Sequence, residues 1–523
     1  LSDLSRPRAQ GLVCVRNDGL MYLELHAASA FSFLDGASTP EALVERAAAL
    51  GYSALALLDR DGVYGVPRFH KAAMTAGIRP IIGCELTIRT DGVKGSQANK
   101  KRSTPLMRRL PVLVESKKGY RHLCQLVTRM KLRSPKGKGS LTLDDFEGST
   151  EGLVALAGQS IFTGYQTDVD EVFNRLRGLF GRSNVYVEVQ RHLLRDEEFQ
   201  NRLLIDLASA YRAPVIATNG VRFATVGDRL LHDVLTCVRY KTTLDRAGRR
   251  LTRNSERYLK SPDAMERLFR DLPGALRSTE ELASRLQYSM NDLEYRFPVY
   301  PVPDGDCMGS FLRKVTEIGA RERYRPYHER ARQQIARELA LIEKLDLAGY
   351  FLIVWDLVNF CRRHDILVQG RGSAANSAVC YSLGITAVDP VGMDLLFERF
   401  LSEERGEWPD IDLDLPSGDQ REQVIQYVYE RYGQVGAAMT ANVITYRGRS
   451  AMREVGKVLG INADRINRLA KTMGKFAWTD SPGALTSYLN DAKSVNRDLR
   501  VRKCVELWQQ IQHLPRHLGQ HSG

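Results

Sequence analysis

Apolar residues come in short, evenly spaced blocks through the first part of the chain. Seven of them have the length and aliphatic content of buried strands: MYLELH (21–26), ALALLD (54–59), RPIIGCEL (79–86), LPVLVES (110–116), GLVALAG (152–158), VYVEVQ (185–190) and PVIATN (214–219). Stretches with helical spacing lie between them, such as TPEALVERAAALGY (39–52) and DEEFQNRLLIDLASAY (196–211). Thr39 followed by Pro40 reads as a helix start. The alternation predicts a parallel sheet, closed or nearly closed into a barrel, with a doubly wound sheet as the other arrangement. The basic, aperiodic segment VKGSQANKKRSTPLMRR (93–109) breaks the rhythm and is predicted as a loop.

The pattern then turns helical over 223–295. FPVYPVPDGDCMG (297–309), with three prolines and two glycines, reads as an extended junction. An amphipathic helix is predicted over 330–346 and an apolar one over 349–365. ILVQGRGSAANSAVCYSLGIT (366–386) reads as strand, glycine loop and helix, with the strand on ILV. PDIDLDL (409–415) reads as a strand. SGDQREQVIQYVYERYG (417–433) reads as a helix with Val424, Ile425, Val428 and Tyr432 on one side and Gly433 ending it. Residues 442–512 are mainly helical.

The 523 residues are too many for one core. A hydrophobic content of 43% and a charged content of 26% are those of a soluble globular protein. No apolar run is long enough for a membrane span, and the polar N-terminus is not a signal peptide. Eight cysteines without a CxxC spacing argue for reduced thiols and a cytoplasmic protein. The net charge of +13 is concentrated at 100–109, 246–257 and 321–337. Such stretches are either a nucleic-acid-binding surface or solvated helix faces and loops. The chain opens on Leu1 and stops at HLPRHLGQHSG, and is expected to be a fragment.

Alternation on a strand puts Asp410, Asp412 and Asp414 on one face and Ile411, Leu413 and Leu415 on the other. Carboxylates stacked at this spacing repel unless cations lie between them, and two of them can converge on Mg²⁺ ions. A solvent-facing polar stripe is the other explanation. QGRGSAANS (369–377) adds a glycine turn before a helix: Gly370 and Gly372 allow close backbone approach, Ser373 suits an N-cap, and Arg371 supplies a fixed positive fork. The loop lacks GK[ST] and is not a Walker loop. Arg399, in LFERF, either neutralises a phosphate or pairs with Glu398 or a neighbouring acid.

With GYFLIVWDLV, the run from QGRGSAANS through LFERFLSEERGE to PDIDLD, EQVIQYVYERYG and LPRHLGQHSG, the chain resembles the bacterial C-family DNA polymerases, specifically the error-prone paralogue of the polymerase III alpha subunit. The resemblance implies an α/β multidomain protein: an N-terminal extension (1–20), a PHP-type seven-stranded βα barrel (21–275), a polymerase-beta-like palm (276–441), an inserted helical thumb (442–512) and a returning palm segment (513–523). It implies template-directed addition of dNTPs to a primer 3′-OH, error-prone and associated with translesion synthesis, using two Mg²⁺ ions. Asp410 and Asp412 match the metal-binding aspartates, leaving Asp414 a bystander, and Gly372 and Ser373 match the phosphate-contacting loop. Primer–template DNA and dNTPs are the implied partners, with damage-response accessory proteins and a sliding clamp engaged through regions outside this chain. The family's third aspartate lies on a strand beyond HLGQHSG, so a catalytically inactive DNA-binding fragment is the alternative.

The barrel departs from the active PHP pattern. Ala28 stands where a second histidine is expected, Arg60 follows Asp59, and Gly220 and Arg222 replace two ligands near the last strand. His26, Asp35, Asp59 and Glu85 are therefore expected to be structural remnants that hold no metal, and a PHP phosphoesterase or exonuclease is the less favoured function.

Overall fold

The computed structural model describes residues 22–90, 106–162, 166–292, 299–402, 409–473 and 499–520. The chain divides into two compact units, 1–292 with 441–519, and 293–440 with 520–523. The expected N-terminal extension, 1–20, lies outside the described residues.

In the first unit, β1 (Ala54–Arg60), β2 (Arg79–Thr90), β3 (Leu106–Val114), β4 (Leu153–Ala157), β5 (Val185–Gln190) and β6 (Val215–Thr218) form one sheet in sequential order. That order excludes the doubly wound alternative, whose strand order reverses midway. The sheet is mixed rather than wholly parallel. β3 runs antiparallel to both β2 and β4, and the other pairs are parallel. Thr90 lies opposite Leu106, so β2 ends where β3 begins. Residues 106–109 belong to β3 and not to the expected loop, whose remainder lies outside the described residues.

The first expected strand, 21–26, is not a regular strand, although it does a strand's work. Ala56 N–H donates to Glu24 O and Leu58 N–H to Ala27 O, while Ala28 N–H donates to Val221 O and Val221 N–H to His26 O. The segment thus ties β1 to the chain leaving β6 and curls the sheet round. Its ladder is interrupted because the buried Glu24 carboxylate takes two backbone donors itself, His26 N–H (2.9 Å) and Asn219 N–H (3.0 Å). The expected seven-stranded barrel is therefore six strands and one irregular closing segment.

Helices α1 (Pro40–Ala49), α2 (Val66–Thr75), α3 (Lys117–Leu132), α4 (Gln166–Phe180) and α5 (Arg195–Tyr211) connect the strands. α1 starts as its sequence predicts, with the Thr39 hydroxyl accepting Ala42 N–H and Pro40 in the first turn. α6 (Arg229–Tyr240), α7 (Leu244–Ala247), α8 (Pro262–Leu268) and α9 (Pro273–Arg285) follow. α9 adds Ala275, Leu276 and Leu282 to the barrel core.

The second unit contains α10 (Met308–Arg323), α11 (Glu329–Lys344), α12 (Ala348–Arg363), β7 (Gln369–Arg371), α13 (Ala378–Ser382), β8 (Asp412–Asp414) and α14 (Asp419–Gly436). The strand of the glycine loop falls on Gln369–Arg371 and not on Ile366–Val368; Leu367 is exposed. Gly433 interrupts α14 with φ of 72°, a left-handed conformation that suits glycine. The chain then returns to the first unit through β9 (Ala441–Thr445), α15 (Gly448–Val458), α16 (Ala463–Met473), α17 (Leu499–Ile511) and β10 (Pro515–Gln520), which pairs with β9. Met452, Val455, Cys504 and Trp508 from these helices share a core with Leu231, Val234 and Leu235 of α6.

Phe351 of α12 is fully buried in the second unit's core, edge-on to Phe400 with ring centroids 6.0 Å apart. Phe351→Ala should cost ~3–5 kcal/mol in urea unfolding. Ile318→Ala, at a position 61% exposed, should change stability by less than ~0.5 kcal/mol.

Candidate functional site

β7 and β8 pair antiparallel, with Gln369 opposite Asp414, Gly370 opposite Leu413 and Arg371 opposite Asp412. The glycine loop and the carboxylate strand, some forty residues apart in sequence, are thus hydrogen-bonded neighbours. Asp410, Asp412 and Asp414 are exposed, while Ile411 and Leu413 pack half-buried on the core.

The three aspartates differ in their surroundings. Arg371 Nε lies 3.2 Å from Asp414 Oδ1, so the loop's guanidinium pairs with the expected bystander. Asp410 and Asp412 flank Ile411, whose N–H donates to the Tyr350 hydroxyl at 2.9 Å. Burial, with Asp410 and Asp412 close by, holds the Tyr350 phenol above its ordinary range and hence neutral. Tyr350 is a positioning residue that the sequence did not single out.

Two glycines set the loop against this strand. A Cβ on Gly370 would lie 2.6 Å from Ile385 O, the atom that accepts the Gly370 N–H at 2.7 Å. Gly372 has φ of 70°, and a Cβ there would lie 3.9 Å from Asp412 Oδ2. The loop backbone therefore runs directly beside that carboxylate.

Ser373 is not the helix cap. It lies in the 3-10 turn Gly372–Asn376, and Ser377 caps α13 by accepting Cys380 N–H at 3.1 Å. The start of α13 is already served from within the protein. Fully buried Glu338 of α11 accepts the Ser377 hydroxyl (2.7 Å), Ala378 N–H (3.0 Å), Val379 N–H (3.0 Å) and the Gln334 amide (2.9 Å). Burial raises its pKa despite these donors. An anion at the loop would thus meet the turn at 372–376 and not the start of α13. Arg399 sits in a 3-10 turn, Phe397–Arg399, packed against the turn at 372–376, and Glu398 pairs with Arg337.

In the barrel, the retained His26, Asp35 and Glu85 and the substituted Arg222 line a cavity of about 360 Å³. Arginines occupy it. Glu85 accepts Arg222 (2.9 Å) and Arg109 (2.9 Å), and Asp35 accepts Arg60, Arg109 and Arg239. Asp59 is buried behind the cavity, bonded to the Ser29 and Ser32 hydroxyls and pushed up to about 6 by burial. His26 Nδ1 bonds Glu188 at 2.6 Å. Glu24, Arg109, Glu188 and Arg257 were missed from sequence; the available signal was an acid inside an apolar strand, as in MYLELH and VYVEVQ.

Among the described residues, no group of three or more His, Cys, Asp or Glu side chains is arranged to hold a metal ion. In the barrel this follows from the guanidiniums, so the PHP metal cluster does not fit there. Asp410 and Asp412 are an exposed two-carboxylate set of hard oxygen donors, and they suit Mg²⁺ as part of a larger set.

Two tests follow from these contacts. Glu338→Ala strands three donors at α13 and should cost ~3 kcal/mol in urea unfolding, with Glu338→Gln milder. For His26, burial alone would pull the imidazole down from 6.5, but Glu188 and Glu85 outweigh it and push it up to about 9. Its contribution to stability is full below pH 6.5 and is lost as the pH rises to about 9. Wild type should lose ~3 kcal/mol more than His26→Gln over that window; parallel pH profiles would refute the pairing.

Comparison with known proteins bears on both units. Residues 24–192 match the PHP domain, and residues 310–523 match the bacterial DNA polymerase III alpha NTPase domain. The chain is 41% identical over 516 residues to an error-prone DNA polymerase of Mycobacterium bovis, covering 96% of this chain and 45% of that protein. It is 38% identical over 587 residues to one of Anaeromyxobacter dehalogenans, covering 96% of this chain and 50% of that protein. The chain thus spans about half the length of the curated relatives it matches. Among solved structures, an amidohydrolase from Chromobacterium violaceum is 17% identical over 39% of this chain and 88% of that one, with a TM-score of 0.26, too slight a likeness to bear on the fold. The chain thus carries a PHP domain at its start and a bacterial DNA polymerase III alpha-type region after it, and along almost its whole length it is similar, near 40% identity, to proteins named error-prone DNA polymerase.

Proposed function

We propose that this chain is the PHP- and palm-bearing part of a DNA-directed DNA polymerase that extends a primer 3′-OH with dNTPs, is error-prone and serves translesion synthesis during DNA repair. The observation that carries the reading is the pairing of β7 with β8. It sets a glycine turn, with its backbone exposed to close approach, against a strand whose outward face carries Asp410 and Asp412. Phosphoryl transfer needs this combination of anion contact and carboxylates more than it needs any covalent catalyst.

Asp410 and Asp412 would hold two Mg²⁺ ions, which supply charge neutralisation on the phosphates and a more acidic primer hydroxyl. The remaining work belongs to the chain's own groups. Gly372 and Ser373 admit the dNTP phosphates beside Asp412. Arg371, across from Asp412 in register and bonded to Asp414, presents a guanidinium that a triphosphate can recruit. Arg399 lies on the turn packed against this loop and completes the positive rim. Tyr350 fixes the register of the strand through Ile411. Primer–template DNA is the substrate, and accessory proteins and a clamp would bind elsewhere in the longer protein. Among the described residues, no helix is long and apolar enough to cross a membrane.

The error-prone and translesion parts of the proposal rest on what the relatives are named. In protein with the full length of those relatives, Asp410→Asn and Asp412→Asn should each lower primer extension by ~100-fold or more. Asp414→Asn should stay within ~10-fold of wild type, because it removes only an exposed ion pair. Near-wild-type rates in all three would sink the assignment.

A further inference from the structure

The barrel cavity carries more positive charge than it can pair. Arg109, Arg222, Arg257 and His26 line it with Asp35, Glu85 and Glu188, and Arg60 and Arg239 also bond Asp35. Three guanidiniums and the His26 imidazole thus line the cavity with three carboxylates. Each carboxylate is already engaged: Asp35 by three arginines, Glu85 by two and Glu188 by His26.

Several polar nitrogens are left over. His26 Nε2, Arg222 Nη1 and His232 Nδ1 are buried and have no hydrogen-bond partner. His26 is 2% and His232 4% exposed, and both line the cavity; His26 Nε2 is 3.8 Å from Glu85 Oε1, too far for a hydrogen bond. Arg257 finds only neutral acceptors, Gln190 Oε1 (3.4 Å) and Gly220 O (3.3 Å). Burial and the neighbouring Arg222 lower its pKa and outweigh the pull of Glu197, Glu85 and Glu188, none of which bonds it. A buried charge with no partner costs several kcal/mol, so an anion bound here would relieve that cost.

We propose that this cavity binds a phosphate-class oxyanion directly through Arg222, Arg257, His26 and His232, without a metal ion. Guanidinium forks match tetrahedral oxyanions in geometry and charge. The same arginines that displace the PHP metal cluster supply the positive charge it would have carried. The site lies in the first unit and stands or falls independently of the polymerase reading.

The test is calorimetric titration of the 523-residue chain in excess chelator, with inorganic phosphate and with thymidine 5′-monophosphate. Saturable one-site binding is expected. Tighter binding of phosphate identifies a free anion, and tighter binding of the nucleotide identifies a phosphomonoester end. Arg257→Gln should weaken binding at least tenfold. His232→Phe, which keeps the ring packed on Phe223, should weaken it severalfold and decides the matter if Arg257→Gln fails to fold. No saturable binding in chelator, binding only after Mn²⁺ is added, wild-type affinity in the folded variants, or loss of the signal in Arg371→Ala would overturn the proposal.

Discussion

A charge taken out of water needs an opposite charge or several hydrogen bonds to remain there, and both units are organised by that constraint. In the second unit it is met by Glu338, fully buried on α11, whose four donors come from Gln334 and from the first turn of α13. That carboxylate fixes where the helix after the glycine loop begins, and hence where the loop itself must end. In the first unit the constraint is met by a web of arginines and acids in the barrel. Glu24, Asp35, Glu85 and Glu188 hold the closing segment, β2 and β5 in one arrangement.

The two solutions leave different surfaces. Around Glu338 every donor is matched, and the chemistry is moved outward to the exposed face of β8. In the barrel the match is incomplete, and the surplus is positive. A metal-binding site and an anion-binding site are electrostatic opposites, and the exchange is visible in two substitutions. Arg60 and Arg222 stand where ligands are expected and bond the carboxylates that remain.

Much of this was legible in the sequence, for identifiable reasons. Short aliphatic runs located all six strands, four of them nearly to the residue, and period-two alternation gave the outward face of Asp410, Asp412 and Asp414. Thr39–Pro40 marked a true helix start, and Gly433 a true break. The direction of β3 was not legible, because an apolar strand reads the same in either sense. The irregular closing segment was foreshadowed only by Glu24 inside an apolar run. Glu338 is an acid between Ile335 and Leu339 on a buried helix face, but its partners lie some forty residues away. Net charge misled in part. Arg108, Arg109 and Arg257 come from the basic stretches yet turn inward, and Arg323 donates to Tyr381 O and Thr386 O while lying 3.9 Å from the Tyr381 ring. Composition counts charges without showing which way they face.

The arginines of the barrel have a consequence for how its integrity depends on surroundings. A domain held by bound ions is a chemical equilibrium, and its stability rises and falls with the free concentration of those ions. Here the cations that hold Asp35 and Glu85 are side chains of the same chain. Their effective concentration is fixed by covalent linkage, and neither starvation for metal nor a competing chelator can withdraw them.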